Sequence, residues 1–315
     1  MKIGILTFHN ADNYGAVLQC YALQEHLKKI YPNDEVCVID YRNPLIERSY
    51  RILGFRRKIL FNLTQFLYLP QVLKKRNSFR KFRKEFINVG SPDLSQYDAI
   101  YYGSDQIWNP NLTNNDMTYF GADFSGRKIA YAASDGGELV VTENIKVLLN
   151  GFESISCREK SLSEKLQKEN VSVPIEVAKD PVFLLSKDEW LNIAQKPRER
   201  GYVLAYKITE NPSFDKEAEY LGKKLGKPVI QIVYTKSARR FFYKKQKFVS
   251  GISPEQFVGY IANADFVLTT SFHGTAFSII FDKPFYVLSF EKRSERITDL
   301  LLKSNKLDQW IDKIS

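Results

Sequence analysis

The chain has 315 residues, 44% of them hydrophobic, and a formal net charge of +10, so it can bury a full core and more readily forms two domains than one. No apolar run reaches the ~18 residues of a membrane-spanning helix, and the opening MKIGILTF lacks a charged-then-apolar signal region, so a cytoplasmic protein is expected. Cys20, Cys37 and Cys157 are widely spaced, with no Cys-x-x-Cys pair and no His/Cys cluster at metal spacing, which argues against a disulfide framework and a zinc site.

Taken in order, Lys2–Phe8 reads as a buried strand, His9–Gly15 as a polar loop and Ala16–Lys29 as a helix with Val17, Leu18, Tyr21, Leu23, Leu27 and Ile30 along its apolar stripe. Glu35–Asp40 is a second strand. Between Arg48 and Lys84 there are twelve basic residues and no acidic ones, interleaved with Ile52, Leu53, Phe55, Ile59, Leu60, Phe61, Leu63, Phe66, Leu67, Tyr68 and Leu69. Lys236–Lys247 repeats that mixture. Basic and apolar residues together suit an anionic membrane surface or a lipid-linked diphosphate, so peripheral contact with the inner face of the membrane is one expectation; a solvated helical insertion is the other. No nucleic-acid motif accompanies the charge, and no nucleic-acid partner is expected.

Further strands are predicted at Tyr97–Gly103, Lys128–Ala132, Ser154–Cys157 and Ile175–Val177, with helices over Leu139–Gly151 and Lys160–Glu169. The second half restarts the rhythm: strands Tyr202–Lys207, Pro228–Val233, Asp265–Thr270 and Phe285–Leu288 alternate with helices Asp215–Leu225, Pro254–Ala262 and Thr275–Phe281. This alternation predicts an α/β protein of two Rossmann-like domains whose parallel sheets face across a cleft. Residues 1–185 form the first domain, with a basic and aromatic helical insertion around 44–90. Residues 186–315 form the second, with a helical tail over Glu295–Ile314, and the halves meet near Asp180–Pro197.

Polar motifs collect where strands end. Thr269-Thr270-Ser271-Phe272-His273-Gly274 places one of three histidines between a strand and a helix, with Gly274 at the turn and helix N-terminal amides beside His273, a setting for an anionic ligand. A capped, packed histidine is the alternative. His9, Asn10, Asn13 and Tyr14 follow the first strand and offer hydrogen bonds to a sugar or phosphate. Gly103-Ser104-Asp105-Gln106-Ile107-Trp108 adds a carboxylate, an amide and an aromatic face, a mixture suited to carbohydrate. Arg158, in Ser156-Cys157-Arg158-Glu159, can hold a carboxylate or phosphate with its planar fork, or pair with a neighbouring acid. Asp180-Pro181 supplies another strand-end carboxylate.

This ordered set resembles the polysaccharide pyruvyl transferase family: Gly4 to Asn10 with Asn13-Tyr14-Gly15-Ala16, then Gly103-Ser104-Asp105-Gln106-Ile107-Trp108, Ala133-Ser134, Ser156-Cys157-Arg158-Glu159, Asp180-Pro181 and Ser271-Phe272-His273-Gly274. The resemblance implies a fold like that of two-domain (GT-B-like) glycosyltransferases. It also implies transfer of pyruvate from phosphoenolpyruvate to two sugar hydroxyls as a cyclic ketal in surface polysaccharide biosynthesis, on an acceptor that is a lipid-linked saccharide in one expectation. No cofactor or metal is expected beyond the donor. His273 and Asp105 are the candidate proton carriers. Arg158, Ser271 and Gly274 are the candidate donor site, and His9, Asn10, Asn13, Tyr14, Gln106 and Trp108 the candidate acceptor site. Members carry an arginine where this chain has Ser271, so a replacement cation is expected among Arg293, Arg296, Lys207 and Lys292. Two other classes stay open: a nucleotide-sugar glycosyltransferase on the same architecture, and a non-catalytic scaffold of polysaccharide assembly.

Overall fold

Short runs rich in Val, Ile and Leu, each followed by an amphipathic helix, build two parallel sheets. The computed structural model describes residues 1–50, 59–208, 212–233, 246–288 and 295–314. The chain divides into two units, Met1–Arg51 with Arg83–Leu185, and Ile52–Phe82 with Ser186–Ser315. Most of the stretch expected as an insertion in the first domain therefore groups with the second unit. No helix among the described residues is long and apolar enough to cross a membrane.

In the first unit β1 (Lys2–Leu6), β2 (Glu35–Ile39), β3 (Val89–Gly90), β4 (Ala99–Tyr102), β5 (Arg127–Ala133), β6 (Ser154–Cys157) and β7 (Ile175–Val177) stand in the order β3-β2-β1-β4-β5-β6-β7. All pairs are parallel, and β1 and β2 are buried on both faces, as strands between helical layers must be. α1 (Tyr14–Ile30) begins two residues earlier than expected, because Asn13 caps it: its Oδ1 accepts from the Gly15 N–H at 2.9 Å. α2 (Pro44–Ser49), α4 (Pro110–Thr113), α5 (Glu143–Leu149) and α6 (Lys160–Lys168) follow in chain order, and between α2 and α4 runs α3 (Ile59–Phe86), which groups with the second unit as far as Phe82. One aromatic group of the core is Trp108 stacked on Phe120 at 5.7 Å, with Phe152 edge-on to Trp108 at 6.4 Å.

In the second unit β8 (Val203–Tyr206), β9 (Val229–Val233), β10 (Gln246–Ser250), β11 (Phe266–Thr269), β12 (Phe285–Leu288) and β13 (Trp310–Ile311) stand in the order β10-β9-β8-β11-β12-β13, again all parallel. The helices are α7 (Lys187–Ile193), α8 (Pro212–Leu225), α9 (Pro254–Ala262), α10 (Phe272–Ile280) and α11 (Glu295–Lys303). Trp190 of α7 packs edge-on against Phe277 of α10 at 4.9 Å. Within this unit α3 is tied down by Ser78 Oγ, which donates to Gly251 O at 3.3 Å, and by Gln71 Oε1, which accepts from Ser250 Oγ at 3.2 Å.

The tail expected to be helical through Ile314 is not. Asn305 takes a left-handed conformation at φ 53°, the residue type that tolerates it, and the chain turns into β13 beside β12. The connection expected near Asp180–Pro197 contains α7, begun by a reciprocal Ser186/Glu189 capping box.

Candidate functional site

Each sheet reverses its order beside its first strand, between β1 and β4 in one unit and between β8 and β11 in the other. Ligands of open parallel sheets bind outside the carboxyl ends at such reversals, where neighbouring loops part. The strand-end motifs fall there: Thr7–Asn13 and Gly103–Asn109 in the first unit, Lys207 and Thr270–Gly274 in the second.

The first unit's cluster is knit around Arg158, which follows β6. Its Nη2 lies 2.9 Å from Asp180 Oδ2 and donates to Ser104 Oγ at 2.5 Å, while Nη1 stands 4.0 Å from Asp105 Oδ1. The Arg158 side chain is 3% exposed and that of Asp180 is 0% exposed. Burial disfavours the guanidinium charge, and Asp180, then Asp105 and Glu159, more than offset this, raising its pKa. Beside it Glu159 Oε1 accepts from Ser134 Oγ at 2.7 Å and Asp135 Oδ2 pairs with Lys165 Nζ at 2.6 Å. Arg158 is thus the internal counterion of a carboxylate-rich cluster. Both close contacts are made by Nη2, and the pairing with an acid that was the alternative to a donor clamp is present.

Asp105 sits at a left-handed φ of 77° and extends the sheet by a parallel bridge to Ala133. Its Oδ1 accepts from the Gln106 N–H at 2.9 Å, and its side chain keeps 16% exposure. Gln106 is half-buried and lies with Asn109 against Gly136, where any side chain would collide with both amides. Trp108 departs from expectation: it is fully buried and its Nε1–H donates to Tyr119 O at 3.0 Å, so its ring is a core element and no platform for a sugar.

The loop after β1 is also tightly held. His9 is buried, with Nε2 3.1 Å from Asp40 Oδ1. That bond, against burial and with help from Arg42, holds the Asp40 carboxyl well below the usual carboxylate range. Asn10 Nδ2 donates to Glu47, Asn13 serves as the α1 cap, and Tyr14 is 3% exposed. These four residues fix the loop's shape; His9 and Tyr14 are buried, while Asn10 and Asn13 keep partial exposure.

In the second unit α10 starts at Phe272, so His273 is its second residue and Gly274 its third, inside the first turn where the sequence had placed the turn itself. Ser271 is the cap, its Oγ accepting from the Gly274 N–H at 3.3 Å. Gly274 is required by packing: a Cβ there would come 2.4 Å from Thr269 Oγ1. The Thr269 hydroxyl donates to Tyr206 O at 2.8 Å and accepts from the Ser271 N–H at 3.0 Å, which locks the turn to β8. His273, half-buried, stands edge-on to the Phe272 ring at 5.2 Å.

Of the candidate replacement cations, Arg296 of α11 is brought to this turn, its guanidinium 6.0 Å from the centre of the Phe272 ring. Lys207 is instead buried against Asp215, Nζ to Oδ1 2.6 Å, and Gln231 Nε2 donates to the same oxygen at 2.9 Å. Asp215 was read only as a helix start; a strand-end lysine eight residues before a first-turn aspartate was the available signal. Arg293 and Lys292 lie outside the described residues, as does most of Lys236–Lys247. Among the described residues no group of three or more His, Cys, Asp or Glu is placed to hold a metal ion.

Two Rossmann-like units with parallel sheets of this order make a GT-B-like fold, and solved structures share it. A putative UDP-N-acetylglucosamine 2-epimerase from Listeria monocytogenes superposes with TM-score 0.56 at 11% identity, over 98% of this chain and 86% of that one. S. aureus MnaA with UDP gives 0.54 at 11% identity over 95% and 81%, and the Methanocaldococcus jannaschii UDP-GlcNAc 2-epimerase with UDP-GlcNAc and UDP gives 0.51 at 12% over 96% and 87%. No curated protein matches the chain in sequence. The polysaccharide pyruvyl transferase pattern matches residues 13–291, and the chain belongs to that family of transferases.

Proposed function

We propose that this protein transfers the pyruvyl group of phosphoenolpyruvate to two hydroxyls of a saccharide during polysaccharide biosynthesis. One hydroxyl proton ends on the enol methylene, which becomes a methyl group, and the other leaves with phosphate. Two C–O bonds form at the former enol carbon and its bond to the phosphate oxygen breaks, closing a cyclic ketal. The family match over residues 13–291 carries this reading, and the two clusters supply groups of the right kind.

The second unit takes the donor in this reading. His273, the second residue of α10, delivers the proton. Arg296, steadied on Phe272, meets the donor's negative charge in place of the arginine that Ser271 replaces. The first unit takes the acceptor. Its excess of carboxylates repels a trianionic donor but accepts hydrogen bonds from sugar hydroxyls, and the partly exposed Asp105 orients and deprotonates one of them.

The test is phosphate release from phosphoenolpyruvate with a panel of galactosides, glucosides and mannosides, free and lipid-linked. The product should gain about 70 Da, pyruvate less water by stoichiometry, and His273→Ala should slow its formation by about 10²–10⁴-fold. The sugar-nucleotide enzymes that share the fold favour a second reading, a nucleotide-sugar glycosyltransferase. UDP or GDP binding by calorimetry, with no phosphate released under any acceptor, would put that reading first.

A further inference from the structure

We propose that the exposed face of α3 docks on an anionic lipid bilayer, an inference independent of the reaction. The described part of this helix is amphipathic in an unusual sense. Phe79 and Phe82 are fully buried and Lys75 nearly so, while Leu73, Lys74, Arg76, Asn77, Arg80 and Lys81 are exposed. At 100° per residue the exposed set spans an arc of about 160°, with Arg76 and Arg80 one turn apart near one edge, Lys81 and Lys74 near the other and Leu73 between them. From Leu73 to Lys84 every charge on this face is positive, and the exposed Glu85 follows only in the last turn of the helix.

The chemistry of the face selects the partner. Single-stranded nucleic acid is held by cations combined with stacking rings, yet the rings of Phe79 and Phe82 are turned inward. A strongly basic patch with an exposed leucine instead matches a headgroup layer, where guanidinium and ammonium groups meet lipid phosphates and an aliphatic side chain enters the acyl boundary. The sequence preceding this face continues the same mixture, Arg56-Arg57-Lys58 followed by Ile59-Leu60-Phe61. Docking here would hold the enzyme at the surface where membrane-borne saccharides are presented.

The test is sedimentation of the full chain with vesicles of phosphatidylcholine alone and with about a third phosphatidylglycerol, at low and high salt. Three proteins are compared: wild type, Arg76→Glu/Arg80→Glu/Lys81→Glu, and Lys216→Glu/Lys224→Glu/Lys303→Glu, whose exposed lysines lie elsewhere and which carries the same net charge. Salt-sensitive binding to the anionic vesicles is expected for wild type and the control. The α3 variant should bind roughly 100-fold more weakly, about fivefold for each cation removed. Arg76→Gln/Arg80→Gln/Lys81→Gln serves if the glutamates disturb folding, judged by circular dichroism. Absence of wild-type binding, equal losses in both glutamate variants, or tighter α3-dependent binding to DNA than to vesicles would each overturn the proposal.

Discussion

The two strand-end clusters occupy equivalent places in equivalent sheets and are built in opposite ways. In the first unit the charge is closed on itself: Arg158 sits between Asp180, Asp105 and Ser104 with almost no exposure. In the second unit the turn itself is closed, with Ser271, Thr269 and Tyr206 satisfying one another, while His273 and Arg296 stay partly exposed beside it. The contrast teaches that a strand-end position marks where a ligand binds in this fold, whereas the burial of each side chain decides whether it touches that ligand or holds the ones that do.

The strongest way to break the comparison is Arg158→Met. Leaving Asp180 buried without its counterion should cost about 3–5 kcal/mol of stability, read as a lowered urea midpoint, and it should do so whether or not phosphoenolpyruvate is present. A fully stable variant with a raised KM for phosphoenolpyruvate would return Arg158 to the donor site. His273→Ala should lower kcat by about 10²–10⁴-fold, the usual yield of one general acid, with the melting temperature nearly unchanged. Arg296→Met should raise the KM for phosphoenolpyruvate by about 10–100-fold, the loss of a charge-assisted bond, with Arg296→Lys recovering part of it.

Smaller effects sharpen the account. Ser271→Ala removes one helix cap and should cost about 1 kcal/mol, measurable by thermal denaturation, with kcat falling further than that if the turn positions His273. Asp40 supplies a pH signature. Its folded-state pKa lies below the unfolded value of about 3.9, so the stability it contributes is fully present above that value and is lost as pH falls through the folded value. The stability gap between wild type and Asp40→Asn should therefore be constant above about pH 4 and narrow progressively as pH falls below it, read by acid unfolding.

Much of this was legible in the sequence because parallel α/β folds announce themselves by alternation and place polar loops at strand ends. The strands Ser154–Cys157, Ile175–Val177 and Phe285–Leu288 and the helix Pro254–Ala262 fall where the pattern puts them. Three of the four edge strands did not announce themselves: β3 and β13 have two residues each and β10 follows Lys244-Lys245, so they exist through pairing with a neighbour and not through their own propensity. Burial was the other blind spot. Trp108 in a polar loop reads as a sugar platform until Tyr119, Phe120 and Phe152 close over it, and Arg158 reads as a ligand clamp until Asp180, twenty-two residues on, reaches it. Both depend on contacts that no local spacing encodes.

The most direct measurement is steady-state phosphate release by wild type, Asp105→Asn and Arg296→Met, varying phosphoenolpyruvate and acceptor separately. The account predicts that Arg296→Met raises the KM for phosphoenolpyruvate and leaves that for the acceptor near wild type, while Asp105→Asn lowers kcat and weakens the acceptor alone. If both substitutions weaken the same substrate, or if wild type releases no phosphate with any acceptor, the assignment of donor to the second unit and acceptor to the first is wrong.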